Sequence, residues 1–178
     1  YARGGILGPL RDKNSLPMLT VQGFGDHQVA MNLAAGVLAA LFKAKMTGEG
    51  DHVVVSLFHS AIWDISLMLQ ASQYGADSTQ YPMERWKLGN PLVLCYETAD
   101  GQWLQIAMPQ YDRHYPILMN AMGYPELADD ARYYPQKNLI PNREEFSAWI
   151  TAEFKKKTCD EWCKLLDAND LPYAIAQE

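Results

Sequence analysis

Apolar side chains recur at steps of three and four along the first third of the chain: Val29, Leu33, Val37, Ala40, Leu41 and Ala44. That period predicts a helix over 27–46. Ala30, Ala34, Ala35, Gly36, Ala39 and Ala40 make it small-sided, which predicts a buried helix with other backbone packed close against it. Gly48 is suited to the left-handed position past the helix end. His52, Val53, Val54, Val55, Ser56 and Leu57 form a short β-branched run, the pattern of a buried strand. Helical spacing returns over 58–74 through Ile62, Ile65, Met68 and Leu69. Residues 1–25, rich in Gly and Pro, read as loop.

Beyond a polar and aromatic loop at 75–91 the pattern changes. Runs at 92–98 and 102–108 alternate as strands and are joined by Ala99, Asp100 and Gly101, a hairpin signal. Helices are predicted at 112–122, 143–156 and 159–168, with a third strand at 173–176. Asn142 with Glu145, and Thr158 with Glu161, have capping-box spacing. The fold class expected is α/β: a helix-strand-helix piece of a larger domain over 1–90, then a small α+β domain with a short antiparallel sheet over 91–178.

Composition narrows the function. The 178 residues hold 15 Lys+Arg against 21 Asp+Glu, a net charge of −6. A nucleic-acid or membrane-surface binder needs a basic excess, so neither partner is expected. The longest apolar stretch, 29–44, contains Asn32 and runs into Lys43, so no membrane-spanning helix is expected. Cys95, Cys159 and Cys163 cannot all pair, and free thiols in a reducing, cytoplasmic compartment are the expectation. Cys159 and Cys163 lack the further Cys or His pair of a zinc site, and no metal is expected. The chain starts at Tyr1 and stops just after a strand, and it is expected to be a piece of a longer protein.

The sharpest local feature is Gly23-Phe24-Gly25-Asp26-His27, two glycines leading into a carboxylate at a helix start. Free N–H groups and the helix dipole there favour an ionised carboxylate. Glycines admit a close substrate, and the same N–H groups can hold an oxyanion. A carboxylate so placed is a candidate nucleophile for an acyl-enzyme, although Asp is also an ordinary N-cap residue. His27 is a candidate proton shuttle, but helix neighbours point about 100° apart. His52 and His59 read as structural or surface residues. Gly48-Glu49-Gly50 follows a helix and precedes a strand, the reverse of a phosphate loop, and reads as a turn. The segment 86–91, Trp-Lys-Leu-Gly-Asn-Pro, is a loop whose glycine is flanked by an aromatic and a cation.

Taken together, Gly25-Asp26-His27, Ala35-Gly36, Thr47-Gly48-Glu49-Gly50 and Val54-Val55-Ser56-Leu57 resemble the family III coenzyme A transferases. Arg3-Gly4-Gly5, Gln73-Tyr74, Tyr111-Asp112, Glu161-Trp162 and Ala174-Ile175-Ala176-Gln177 resemble the branch acting on 2-hydroxyacyl groups. The resemblance implies transfer of coenzyme A from an acyl-CoA to a small carboxylic acid through an aspartyl-CoA thioester, with Asp26 as the nucleophile. It implies Gly25, His27, Gly89 and Asn90 as substrate-binding residues, with Gly89 and Asn90 in the place of a glycine loop that closes over the aspartate. It implies an interlocked homodimer, and coenzyme A as substrate with no permanently bound cofactor. An α-methylacyl-CoA racemase of the same fold, working by a His–Asp acid/base pair, and a non-catalytic assembly fragment are the alternatives.

Overall fold

Burial is divided unequally along this chain. The structure, a computed structural model, describes residues 2–13, 15, 16, 18, 20–75 and 84–177. It forms two units, Tyr1–Met83 and Glu84–Glu178. The expected loop at 75–91 lies partly outside the described residues, and its part from Glu84 onward belongs to the second unit.

The first unit is helical. Helix α1 spans Phe24–Thr47, α2 Leu57–Asp64 and α3 Ser66–Gln73. Helix α1 thus starts three residues earlier than the apolar period predicts. Gly23 precedes it at φ 77°, a left-handed angle that glycine adopts without strain. The far end matches expectation: Gly48 is left-handed at φ 78°, and its N–H donates to the Ala44 carbonyl. Ser56 caps α2 by accepting from the His59 N–H. The helix expected over 58–74 is broken at Ile65, whose φ of −102° and ψ of 12° separate α2 from α3.

Two expectations fail here for one reason. Helix α1 has no buried residue, and 51–56 is extended without strand pairing. The amides of Val53, Val54 and Val55 have no hydrogen-bond partner among the described residues. A buried strand needs neighbours on both edges, and a small-sided helix needs backbone on several sides. The first unit supplies one side only. Asn32 Nδ2 donates to Ser60 Oγ at 2.7 Å, and Gln28 Nε2 to Asp64 Oδ1 at 3.0 Å, binding α1 to α2. Gly36 faces Val53 so closely that a Cβ there would lie 2.6 Å from Val53 Cγ1. Elsewhere Met31, Leu38, Phe42 and Met46 of α1 and Trp63 of α2 are exposed. Extended to 24 residues, α1 is long and apolar enough to cross a membrane by length and composition. Core helices of soluble proteins meet the same criterion, so the expectation of no membrane-spanning helix is not overturned.

The second unit carries its own core. Strands β1 (Cys95–Glu97), β2 (Trp103–Ile106) and β3 (Tyr173–Ile175) form an antiparallel sheet in the order β1-β2-β3, with Tyr96 opposite Leu104 and Leu104 opposite Ile175. The hairpin turns through Gly101 at φ 76°. Helices α4 (Tyr111–Met122), α5 (Gln136–Leu139), α6 (Arg143–Phe154) and α7 (Cys159–Ala168) complete the unit. The inner face of the sheet meets a column of stacked rings: Tyr96 on Phe154 at 4.6 Å between centroids, and Phe154 on Trp162 at 4.5 Å. Each buried polar edge is satisfied, as burial requires. Trp162 Nε1 donates to the Phe154 carbonyl, Tyr96 Oη to Pro91, Tyr111 Oη to Tyr133 and Tyr115 Oη to Leu127.

Of the two expected capping boxes, Thr158 with Glu161 forms. Asn142 with Glu145 does not: Asn142 Nδ2 donates to the Arg132 and Asn138 carbonyls, while Glu145 accepts from Tyr133 Oη. Tertiary partners outcompete the local box.

Because the core is confined to the second unit, residues 84–178 expressed alone should unfold cooperatively in urea, and residues 1–83 should not. Trp162→Ala in that piece should lower stability by about 3–5 kcal/mol. A non-cooperative transition for 84–178 would refute this division.

Candidate functional site

The start of α1 leaves polar groups unused. The Phe24 N–H donates to the Val21 carbonyl at 3.2 Å and the His27 N–H to the Gly23 carbonyl at 2.9 Å. The N–H groups of Gly25 and Asp26 have no partner among the described residues. They are orphan donors of the first helical turn, carrying its partial positive charge.

Asp26 is the third residue of this helix rather than its cap, which corrects the position expected from the sequence. The cap is Gly23, and no side chain caps the helix. The Asp26 carboxylate is exposed and is not consumed by capping. It stands over the positive end of a 24-residue helix, where a negative charge is favoured.

His27 is also exposed, and neither ring nitrogen has a hydrogen-bond partner among the described residues. Its ring lies over Gly23. A Cβ built on Gly23 would be 3.3 Å from His27 Cε1, 3.7 Å from Nδ1 and 3.8 Å from Nε2. Gly25, half-buried, sits between them in the same turn. The first unit therefore brings Gly25, Asp26 and His27 into one turn of helix.

Gly89 and Asn90 lie in the second unit. Gly89 does not have a positive φ, and a Cβ on it would meet nothing within 4 Å. Within its unit Gly89 is therefore open, and its backbone lies outside the left-handed region. Asn90 is occupied: its Oδ1 accepts from the Leu92 N–H at 2.8 Å, and its Nδ2 donates to the Met108 carbonyl at 3.0 Å. The whole segment is tied down. Gln136 Nε2 donates to the Gly89 carbonyl at 2.9 Å, and Arg143 Nη1 to the Lys87 carbonyl at 3.0 Å. Arg143 also lies 5.6 Å from the Trp86 ring centroid, and Lys87 pairs with Glu84 at 3.3 Å. Arg85 donates to the Cys95 carbonyl.

The other histidines are placed apart. His52 and His59 are exposed, and the His59 amide serves the Ser56 cap. His114 Nδ1 is 2.9 Å from the Gln110 carbonyl. It lines an open cleft of about 640 Å³ with Asp167, Asp170, Leu171, Pro172 and Tyr173, which no local motif signalled. Among the described residues no group of three or more His, Cys, Asp or Glu is arranged to hold a metal. Cys159 is buried at the start of α7, and its amide donates to Asp100 Oδ1 at 3.1 Å. Burial, with Cys163 beside it, pushes the Cys159 thiol up to about 11.

The whole chain, residues 1–178, matches the family described as CoA-transferase family III. It is 43% identical over 178 residues to the cinnamoyl-CoA:phenyllactate CoA-transferase of Clostridium sporogenes, covering 99% of this chain and 43% of that protein. It is 36% identical over 177 residues to the (R)-2-hydroxy-4-methylpentanoate CoA-transferase of Clostridioides difficile, covering 99% of this chain and 44% of that protein. A crystal structure of a hypothetical protein from Mycobacterium tuberculosis superposes with a TM-score of 0.79 at 25% identity, covering 99% of this chain and 46% of that one. The chain thus spans less than half the length of the relatives it matches.

The geometry separates two neighbouring residues of the 86–91 segment. Gly89→Ala should change stability by less than about 0.5 kcal/mol. Asn90→Ala should cost about 1–3 kcal/mol by leaving the Leu92 N–H and the Met108 carbonyl unserved. Chemical melts of 84–178 measure both, and equal losses would contradict this assignment. The thiols should differ as well. At pH 8 iodoacetamide should modify half-buried Cys163 well before Cys159, and Cys159 labelling should accelerate as pH approaches 11. Peptide mass spectrometry reads the order.

Proposed function

The chain belongs to CoA-transferase family III, and from that premise we propose that the protein carrying it moves coenzyme A from an acyl-CoA donor to a carboxylic acid, with Asp26 as the covalent carrier. The observation that carries this reading is the exposed Asp26 carboxylate, uncommitted to capping, in a first turn whose Gly25 and Asp26 N–H groups have no partner among the described residues. A nucleophile needs a free lone pair, and the oxyanion formed at a neighbouring carbonyl needs donors.

The steps balance as follows. An Asp26 oxygen attacks the donor thioester carbonyl, the C–S bond breaks, and coenzyme A leaves as thiolate with a mixed anhydride on Asp26. The thiolate attacks the Asp26 carbonyl, releasing the donor acid and leaving an aspartyl-CoA thioester. The acceptor carboxylate attacks that thioester and expels the thiolate, giving a second anhydride. The thiolate then attacks the acceptor carbonyl, forming the new acyl-CoA and regenerating the Asp26 carboxylate. No net proton transfer or redox change is needed. Both named relatives act on 2-hydroxy acids or their acyl-CoA forms, which favours a 2-hydroxy acid as acceptor.

In the full-length protein Asp26→Asn should lower transfer by about three orders of magnitude or more, the scale of losing a covalent nucleophile. Thermal stability should stay within about 0.5 kcal/mol, because the exposed carboxylate holds nothing in place. Near-normal turnover in Asp26→Asn would end the reading. A racemase working by acid/base chemistry would invert an α-methylacyl-CoA without moving its coenzyme A, so a labelled acceptor acid separates the two reactions.

A further inference from the structure

Helices α1 and α2 are joined by polar rungs. Asn32 Nδ2 donates to Ser60 Oγ at 2.7 Å, and Gln28 Nε2 donates to Asp64 Oδ1 at 3.0 Å. The partners stand four residues apart on each helix and pair in opposite order, so each antiparallel helix presents a single face. Gly36 continues that face of α1 by four more residues, and a Cβ on it would lie 2.6 Å from Val53 Cγ1. The buried residues of α2 are Ser60 and Ala61. A hydroxyl therefore occupies a place where an apolar side chain would bury more easily. Apolar contact is non-directional and lets one helix roll on another. A buried hydroxyl loses its hydrogen bond when its partner turns away. Single polar side chains at helix interfaces fix register in this way.

We infer that Asn32 and Ser60, with Gln28 and Asp64 at the outer rung, are positioning residues that set the rotation of α1 about its axis and so aim the Asp26 carboxylate. The inference rests on the reading of Asp26 as the covalent carrier. At about 100° per residue, Asp26 points about 120° round the helix from Asn32, away from the side that α2 covers. It stands about 9 Å nearer the helix start. A side-chain tip about 5–6 Å from the axis moves by about 1 Å for each 10° or so of roll. A misplacement of about 1 Å costs about a hundredfold in rate. Donor binding is spread over many contacts, whereas attack depends on one oxygen. Loosening the rungs should thus slow the attack of Asp26 on the donor carbonyl and leave the donor bound.

The test follows covalent labelling of Asp26 in the full-length protein, quenched rapidly after mixing with an acyl-CoA and read as the mass gain of the Asp26 peptide. In the pair Asn32→Leu with Ser60→Ala both partners become apolar, so the melting temperature should stay near that of the unaltered protein. Labelling and kcat should nonetheless fall by about ten- to a hundredfold while the donor KM holds. Gln28→Ala removes the exposed rung alone. It should fold as the unaltered protein does and slow labelling to a smaller degree. A ladder that served stability alone would move the melting temperature and not the rate per folded molecule. Labelling at the unaltered rate in both variants, or in Gln28→Ala where the pair does not fold, would overturn the positioning role and leave Asp26 standing as carrier. Absence of label in the unaltered protein would overturn the carrier and the positioning role together.

Discussion

A single left-handed glycine governs the start of α1, where the proposed nucleophile lies. Gly23 starts α1 with φ at 77° and no capping side chain. Because a glycine fills the cap, the nearby aspartate is not spent on capping. It falls in the first turn, at the positive end of the helix, beside amides with no partner among the described residues. The His27 ring lies over the same glycine. Asp26, its orphan donors and its neighbouring imidazole all follow from where the helix begins.

The two units obey different constraints. In the second, apolar side chains meet within the unit, and rings stack from Tyr96 through Phe154 to Trp162 with their polar edges satisfied. In the first, three valines at 53–55 present amides with no partner among the described residues, and α1 exposes its long apolar side chains. Exposed apolar surfaces of that extent mark interaction sites in general, and the chain spans less than half the length of its relatives. The proposed nucleophile therefore sits on the unit that has the least core of its own.

The helix and hairpin order was legible because periodicity and caps are local properties. The span 159–168 and the Thr158–Glu161 box appear where the spacing put them. Strand character at 52–57 was legible as pattern but not as structure, because pairing depends on neighbours that the pattern does not name. The start of α1 was misplaced by three residues because Phe24 and Gly25 carry no periodic signal, while a left-handed glycine is invisible to periodicity. Asp26 stood out through its glycine context and the family resemblance. The placing of the His27 ring over Gly23 did not, since a Gly–His pair four apart gives no signal until the backbone angle is known. Gly89 was read as a special position from its neighbours Trp86 and Lys87. Those neighbours instead help to pin the segment to α6, and the glycine itself is open and unstrained.

Oxygen-18 transfer is the most direct test of Asp26 as the covalent carrier. Full-length protein would turn over an unlabelled acyl-CoA with an acceptor acid carrying oxygen-18 in its carboxylate. In the proposed sequence one acceptor oxygen remains on the aspartate when the new acyl-CoA leaves. The peptide containing Asp26 should therefore gain mass in steps of one isotopic oxygen, up to both carboxylate oxygens over many turnovers. Product acyl-CoA forming while that peptide keeps its natural mass would contradict the covalent role of Asp26.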